Sequence, residues 1–498
     1  NRNMWGWQSL KEYQYQVREY LNASLNKPMF LGLESVVAGH EHTSMSVITG
    51  QMPVELNSAK LPEAGPYIAL GNADALSMWT YCFDRNTSDT SRGNRTGTSI
   101  GNNWDCTNPA SPTSTDPAIG WNDTAKKLIP AGGAGTGERG HAKTVEAIKW
   151  MAEFHPDGSY YVPAHLERAG PFNPNGNNGF NVEHLRNFNN AGPRIAFGFE
   201  SQPGHGASGD RGEYRPLRNN FGTGVGLVDS VGGTTYGGTG IYAAQVGGVW
   251  DALLGEGRNW WFFASSDWHN RGSFGTDDRR STNDFYPGEY QRNYTMIRTG
   301  GSAKLTPQQI VDGLRTGNGF ADSGQLIDRL AFVACIGNPA PHGRSNQAVE
   351  SLTLNAALKN TDLDFQGCAT MGEKLVVPKG ADVVVAIVVR DPAGTNYSPY
   401  TFDTPSLLQA GIKQPLNKPV LDHIDMIRGM VTGYKQPGAP DYAGEWPRDW
   451  LAWVLAGTAS LDDVPAAAKN TTASVIRPFN ASTWSEVRRD PEYKVMSF

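Results

Sequence analysis

Apolar residues in the first two thirds of the chain recur in a repeating order of helix and buried strand. In residues 140–154, Val145, Ile148 and Met151 recur at helical spacing, and the apolar run 159–165 follows directly. Earlier in the chain, residues 9–24 predict a helix, and the strand-like run "KPMFLGLES" follows it. Helices that alternate with apolar strands predict parallel βα units.

The same pairing recurs further along the chain. Helices are predicted over 182–190 and 247–257, and strands over 194–200 and 259–266. Residues 306–317 give the clearest helix, because they begin with a Thr cap and a Pro in the first turn and end with Gly. We therefore expect an α/β fold over residues 1–325.

The pattern changes after residue 326, where short strand-like runs with turns between them replace the alternation. These runs include "RLAFVACIG", "ESLTLNAAL", "DVVVAIVVRD" and "LDHIDMIRGMVTG". They predict a C-terminal all-β domain over 326–498, resembling a sandwich of two packed sheets. A Gly-, Ser- and Asn-rich stretch at about 83–138 is too long for an ordinary βα loop and is predicted to be an insertion near an active site.

Charge and cysteine usage narrow the class of protein. The net charge of -6 over 498 residues gives no basic excess for nucleic acid, and no apolar run is long enough for a transmembrane segment. Four cysteines form two local pairs, Cys82 with Cys106 and Cys335 with Cys368, which predicts two disulfides and a periplasmic or secreted location. No secretion signal opens the chain, so we expect it to have been removed.

The candidate chemistry lies where the predicted strands end. Each of four strands finishes in, or just before, residues that bind metals in proteins: Glu34, His40, His42, His165, Glu200, His205, Asp267 and His269. The carboxyl ends of the strands in a βα barrel meet at one face, so these side chains are expected to converge there. Imidazoles and carboxylates are the ligands that Zn, Mn and Fe ions prefer, so we expect two or three divalent ions of this kind. The charge of the ions would offset the free-energy cost of burying so many ionisable groups.

Three of these stretches resemble motifs of the PHP (polymerase and histidinol phosphatase) superfamily. "GLESVVAGHEH" resembles a Glu on a strand followed by Gly-His, and "SSDWH" resembles the final Ser-Asp-x-His motif. "VPAHLERAG" is similar to the late His-Pro-x-Arg motif, with Leu166 in place of Pro. The resemblance covers roughly residues 10–325 and implies a distorted (βα)7 TIM-like barrel, a trinuclear metal site and phosphate ester hydrolysis.

Residue by residue, the resemblance implies that Glu34 bridges two ions. His165 would bind one of the bridged ions and Asp267 the other, and His269 would bind the third ion. One of His40 and His42 would add a further ligand, and the motif does not decide between them.

Other site residues follow from the chemistry of such a centre. Glu200 would lie beside the ions, where it and Arg211 are candidates for contacts with the substrate. Arg168, three residues after His165, is placed to pair with a phosphate oxygen. A hydroxide bridging two ions would attack the ester, and Asp267 or His269 is a candidate to protonate the leaving oxygen.

One family feature is missing from this sequence. The family begins with Asp-x-His-x-His on its first strand, and no such motif precedes Glu34. The chain could begin partway through the protein, another chain could supply the missing part, or the site could be degenerate. We favour the first, and expect the motif within about 60–150 residues upstream of Asn1.

Two other functions stay open on the sequence alone. Amidohydrolase barrels place similar ligands at strand ends, which would make the chain an amide or lactone hydrolase. A secreted surface or assembly protein with a barrel that no longer catalyses would explain the insertion and the missing motif. The sequence determines neither the substrate, the metal nor the oligomeric state.

Overall fold

The structure is a computed structural model. It describes residues 30–48 except 38 and 41, residues 76, 79 and 83, and residues 138–166, 172, 179–203, 241–265, 291–301, 305–323, 326–392, 420–445, 462 and 464–498. The insertion at 83–138 and the predicted helix over 9–24 lie almost wholly outside these residues.

Three antiparallel strands form the first sheet. They are β1 (Leu33–Val36), β2 (His42–Ile48) and β3 (Gly158–Pro163), in the order β1-β2-β3. The sequence predicted β1 and β3 but not β2. Met45 and Val47 of β2 are fully buried, but Thr43, the preceding residue on the same face, is polar, so the apolar alternation is too short to indicate a strand.

The next two strands form a parallel pair. β4 (Gly198–Pro203) lies beside β5 (Trp261–Ser265), in a register that sets Gly198 opposite Trp261. The helices α3 (Ile241–Ala244) and α4 (Val249–Gly255) lie between them in the chain. This parallel pair with helices between its strands is one βα unit of the predicted kind, whereas the first sheet is antiparallel.

Two longer helices cover the first sheet and contribute to the main core. They are α1 (Glu138–Phe154) and α2 (Val182–Ala191), and both agree with the predicted helices. Ile148 and Met151 of α1 and Leu185 and Phe188 of α2 are fully buried in one hydrophobic cluster. The closed barrel itself stays a prediction.

A further antiparallel pair follows, formed by β6 (Gln291–Thr295) and β7 (Gly319–Ser323) around the helix α5 (Pro307–Thr316). The cap of α5 confirms the sequence prediction: the Thr306 hydroxyl accepts the backbone N–H of Gln309, and Gly317 has a φ of 74°. A side chain at position 317 is disfavoured by this positive φ and also by sterics, because a Cβ would lie 2.5 Å from the ring of Trp261.

The C-terminal region contains a five-stranded antiparallel sheet in the order β13-β14-β10-β8-β9. Its strands are β8 (Arg329–Ile336), β9 (Cys368–Ala369), β10 (Val383–Arg390), β13 (Ser485–Val487) and β14 (Asp490–Ser497). A separate two-stranded sheet pairs β11 (His423–Arg428) with β12 (Ser474–Asn480). The strand predictions at β8, β10 and β11 are confirmed.

One prediction in this region is wrong. The run "ESLTLNAAL" lies within a helix, α6 (Asn346–Lys359), and is not a strand. Ser345 caps the helix by accepting the N–H of Ala348, and Asn360 ends it in the left-handed conformation. Val349, Thr353 and Ala356 are buried at helical spacing against β8 and β10, and this tertiary packing decides the conformation.

Cys335 and Cys368 form a disulfide, as the sequence predicted. The bridge joins β8 to β9 across a separation of 33 residues. In the chain-entropy model, a disulfide that closes a loop of this length stabilises the folded protein by about 4 kcal/mol. The predicted pair of Cys82 with Cys106 lies outside the described residues.

Part of the C-terminal region contacts residues of the predicted N-terminal α/β region. The N–H of Thr432 donates to Gly255 O at 2.7 Å, and the N–H of Asn470 donates to Gly247 O at 2.9 Å. Val464, Ala467 and Ala468 join the main hydrophobic cluster. None of the helices in the described segments has the length and apolar character that a membrane crossing requires.

Candidate metal centre

The first sheet brings three of the predicted ligands to one edge. Glu34 lies on β1, His42 begins β2, and His165 follows the end of β3. Because β2 runs antiparallel to both neighbours, its first residue lies beside the last residues of β1 and β3. Glu34 lies two residues before Val36, the register partner of His42, so Glu34 and His42 share a face of the sheet.

The three side chains approach one another closely. Glu34 Oε1 lies 2.9 Å from His42 Nδ1 and 3.3 Å from His165 Nε2, and the two imidazole nitrogens are 3.1 Å apart. One ligand atom from each residue therefore falls within 4.8 Å of the other two. Two imidazoles and one carboxylate are the donor set of catalytic zinc sites, which keep a further position open.

Burial differs across the group. The side chain of His165 is 1% exposed, that of His42 21% and that of Glu34 42%. The site is thus anchored in the interior by His165 and reaches solvent at Glu34.

The backbone at His165 is unusual. His165 has a φ of 35°, in a region that residues with a Cβ seldom occupy. The ladder of β2 and β3 continues up to this point, because the N–H of Ala164 donates to His42 O at 3.0 Å. Such conformations cost about 1–3 kcal/mol and cluster at functional sites, so this strain agrees with a functional role for His165.

His40 does not join this group. Its Nδ1 lies 2.7 Å from Gly179 O and its Nε2 lies 2.8 Å from His141 Nδ1. The ring stacks on Phe180 with 4.8 Å between centroids and an angle of 11°. Of the two histidines that the motif left open, the structure brings His42 to Glu34 and places His40 in a separate buried cluster.

That cluster contains two histidines that the sequence argument left out, His141 on α1 and His184 on α2. Their ring centroids are 4.5 Å apart, and each lies within 5.1 Å of the ring of His40. Burial holds the pKa of His141 well below its usual 6.5, and the imidazoles of His184 and His40 lower it further. These contacts hold the ring of His40 against α1 and α2.

Glu200 lies on β4 opposite Phe263 of β5 and is 4% exposed. It is not one of the three grouped ligands. The other predicted site residues lie outside the described residues: Arg168, His205, Arg211, Asp267 and His269. In the sequence, Asp267 is separated from the end of β5 at Ser265 by one residue.

A buried carboxyl outside the predicted set is that of Asp322 on β7. Asp322 is 3% exposed, its Oδ1 accepts the N–H of Ile327 at 3.1 Å, and it lies opposite Arg292 in the register. Within the described residues Oδ2 has no hydrogen-bond partner. Burial raises the pKa of Asp322 to about 7, against the opposing effects of the Ile327 N–H and Arg292.

This raised pKa predicts a pH dependence of stability. Because the folded-state pKa exceeds that of the unfolded chain, the contribution of Asp322 to stability is fully present below about pH 4 and is lost as the pH rises to about 7. We expect Asp322→Asn to flatten the decline of unfolding free energy between these values, as measured by denaturant titration at a series of pH values. Asp364→Asn, an exposed control, should leave the profile unchanged; equal slopes for wild type and Asp322→Asn would contradict the prediction.

Comparison of the chain with family models, with curated proteins and with solved structures finds no match.

Proposed function

We propose that this protein is a metal-dependent hydrolase whose metal centre is built on Glu34, His42 and His165. The single observation that carries the proposal is the convergence of these three ligand atoms within 4.8 Å. The three residues come from separate strands, and 131 positions separate the first from the last. Sequence proximity alone therefore does not account for their meeting.

The residues fit a divalent ion of the Zn, Mn or Fe type. A bound ion of this kind acts as a Lewis acid and lowers the pKa of a water molecule at its open position. His165 would hold its ligand nitrogen in place, because its ring is buried and its backbone is fixed at the end of β3. Glu34, being the most exposed of the three, would face the substrate side.

Within this proposal we favour phosphate esters as substrates. Arg168 follows His165 by three residues and would pair with a non-bridging phosphate oxygen. Asp267 and His269 would complete the centre beyond the end of β5 and bind one or two further ions. The motifs that resemble the PHP superfamily support this assignment, and the superfamily's phosphoesterases supply the reaction class.

We also propose that the protein acts outside the cytoplasm. The disulfide between Cys335 and Cys368 supports this location, because such bonds persist mainly in oxidising compartments.

The test is an assay of the purified chain against three substrate classes: p-nitrophenyl phosphate, a γ-lactone and an N-acyl amino acid. We expect the phosphate ester to be hydrolysed, the activity to be lost in a chelator, and Zn or Mn to restore it. Bound metal should be measured in the same preparation. The chelated protein, checked for an unchanged circular dichroism spectrum, is the control for loss of fold.

Each alternative has a distinct outcome in this assay. Hydrolysis of the lactone or amide alone would replace the phosphoesterase with an amidohydrolase-like activity. A folded protein that binds no metal and hydrolyses none of the three substrates would contradict the enzyme proposal and favour the scaffold.

A further inference from the structure

A second site lies between β5, the β6–β7 pair and the start of β8. A cavity of about 620 Å³ opens there, a volume typical of small-molecule sites. None of Glu34, His42 and His165 lines it, so it is separate from the candidate metal centre. Its lining includes seven aromatic rings, from Trp250, Trp261, Phe262, Phe263, Tyr294, Phe320 and Phe332.

The aromatic rings of this cavity are held in fixed positions. The indole N–H of Trp261 donates to Arg315 O at 2.9 Å, and that of Trp250 donates to Trp260 O at 2.8 Å. Tyr294 and Phe320 stack with 4.6 Å between centroids and an angle of 10°. With both indole N–H groups engaged elsewhere, the tryptophans present ring surface rather than donors.

Each of the two asparagine amides in the lining also donates to a protein acceptor. The amide of Asn293 donates to Ala264 O at 2.6 Å, and that of Asn318 donates to Asp362 Oδ2 at 2.7 Å. An anionic ligand would need such donors to replace its hydration. Because the described lining residues also include no lysine, arginine or histidine, they offer an anion no opposite charge.

One carboxylic acid side chain is found among the described lining residues. Glu373 is exposed at the rim, and its Oε2 accepts the N–H of Thr370 at 2.9 Å. A carboxylate beside several π faces is the combination that recognises organic ammonium ions, because both attract positive charge while the rings accept the apolar body.

We propose that this cavity binds an organic ammonium cation with an apolar or aromatic body, with the aromatic rings around it and Glu373 as its counter-ion. This inference is independent of the metal centre and of the proposed hydrolase activity.

The experiment is calorimetric titration of the full chain with benzyltrimethylammonium, compared with neutral 2-phenylethanol and anionic phenylacetate. We expect the cation to bind at least about fivefold more tightly than the neutral compound, as a cation–π contribution near 1 kcal/mol implies. Phenylacetate should bind most weakly. Binding of phenylacetate as tight as that of the cation, or no binding of the cation, would overturn the proposal.

Two variants locate the binding. Glu373→Gln keeps the acceptor for Thr370 N–H and removes the charge, so it should weaken cation binding about threefold to fivefold and leave 2-phenylethanol unaffected. Phe320→Leu keeps an apolar wall without the ring and should also weaken cation binding. Asp364→Asn, an exposed carboxylate outside the lining, is the matched charge control and should have no effect. Cation binding that neither Glu373→Gln nor Phe320→Leu changes would place it elsewhere and refute the site.

Discussion

Replacing His42 by alanine is expected to lower the affinity of the protein for Zn²⁺ by at least about a hundredfold. Loss of a partner that only orients a ligand costs about 10–100-fold in metal affinity, and His42 is itself a proposed ligand, so its loss should cost more. Its Nδ1 lies 2.9 Å from Glu34 Oε1 and 3.1 Å from His165 Nε2. Competition with a chromophoric chelator measures the affinity directly and does not depend on catalytic activity.

The matched control is His423→Ala. His423 lies on β11 with its side chain 54% exposed, and its contacts with Asp422 and Asp425 are surface ion pairs. We expect this control to leave the Zn²⁺ affinity within about twofold of wild type, since exposed pairs of this kind contribute little. Equal Zn²⁺ affinities for His42→Ala and wild type, with both folded, would remove His42 from the centre.

The metal-binding residue types at the predicted strand ends included all three grouped residues. The sequence could not decide, however, whether His40 or His42 joins Glu34 and His165. Periodicity indicated β1 and β3, where apolar residues lie together. β2 carries buried Thr43 and Ser46, which bond to Val162 O and Leu31 O, and these polar residues hide the strand from a hydrophobic pattern. Without β2, His40 and His42 could not be assigned to different surroundings.

Local signals predicted the helices well where caps are explicit. Thr306 and Gly317 fixed α5 because the cap and the left-handed turn depend on residues close in sequence. In α6 the apolar run satisfied both helix and strand spacing, and its packing against β8 and β10 decided the outcome. Long-range packing of this kind cannot be read from a short run of residues.

The sequence analysis also did not predict the buried ion pairs. Arg186, Glu256 and Arg258 occur in unremarkable polar contexts along the chain. In the structure the side chains of all three are almost completely buried and ion-paired. Their pairing joins residues 70 positions apart, so only the fold reveals it.

Replacing Glu256 by glutamine is expected to destabilise the protein by about 3–5 kcal/mol, because the change leaves two buried guanidinium groups without their counter-charge. Glu256 Oε1 accepts from Arg186 Nε at 2.8 Å and from Arg186 Nη2 at 2.6 Å, while Oε2 accepts from Arg258 Nε at 2.7 Å. Arg186 also donates to the carbonyls of Tyr442 and Ala467, so the network ties α2 to the C-terminal region. Denaturant unfolding followed by tryptophan fluorescence measures the loss.

A Glu→Gln substitution at an exposed ion pair is the control that distinguishes the effect of burial from the effect of losing the charge alone. Glu486 pairs with Lys494 at 2.7 Å, and its side chain is 54% exposed. Because exposed pairs are worth about 0–1 kcal/mol, Glu486→Gln should change the unfolding free energy by no more than that. Adding Arg186→Met to Glu256→Gln should cost less than the sum of the single changes, since it removes one of the two uncompensated charges. Losses of similar size for Glu256→Gln and Glu486→Gln would mean that the buried network does not hold the two regions together.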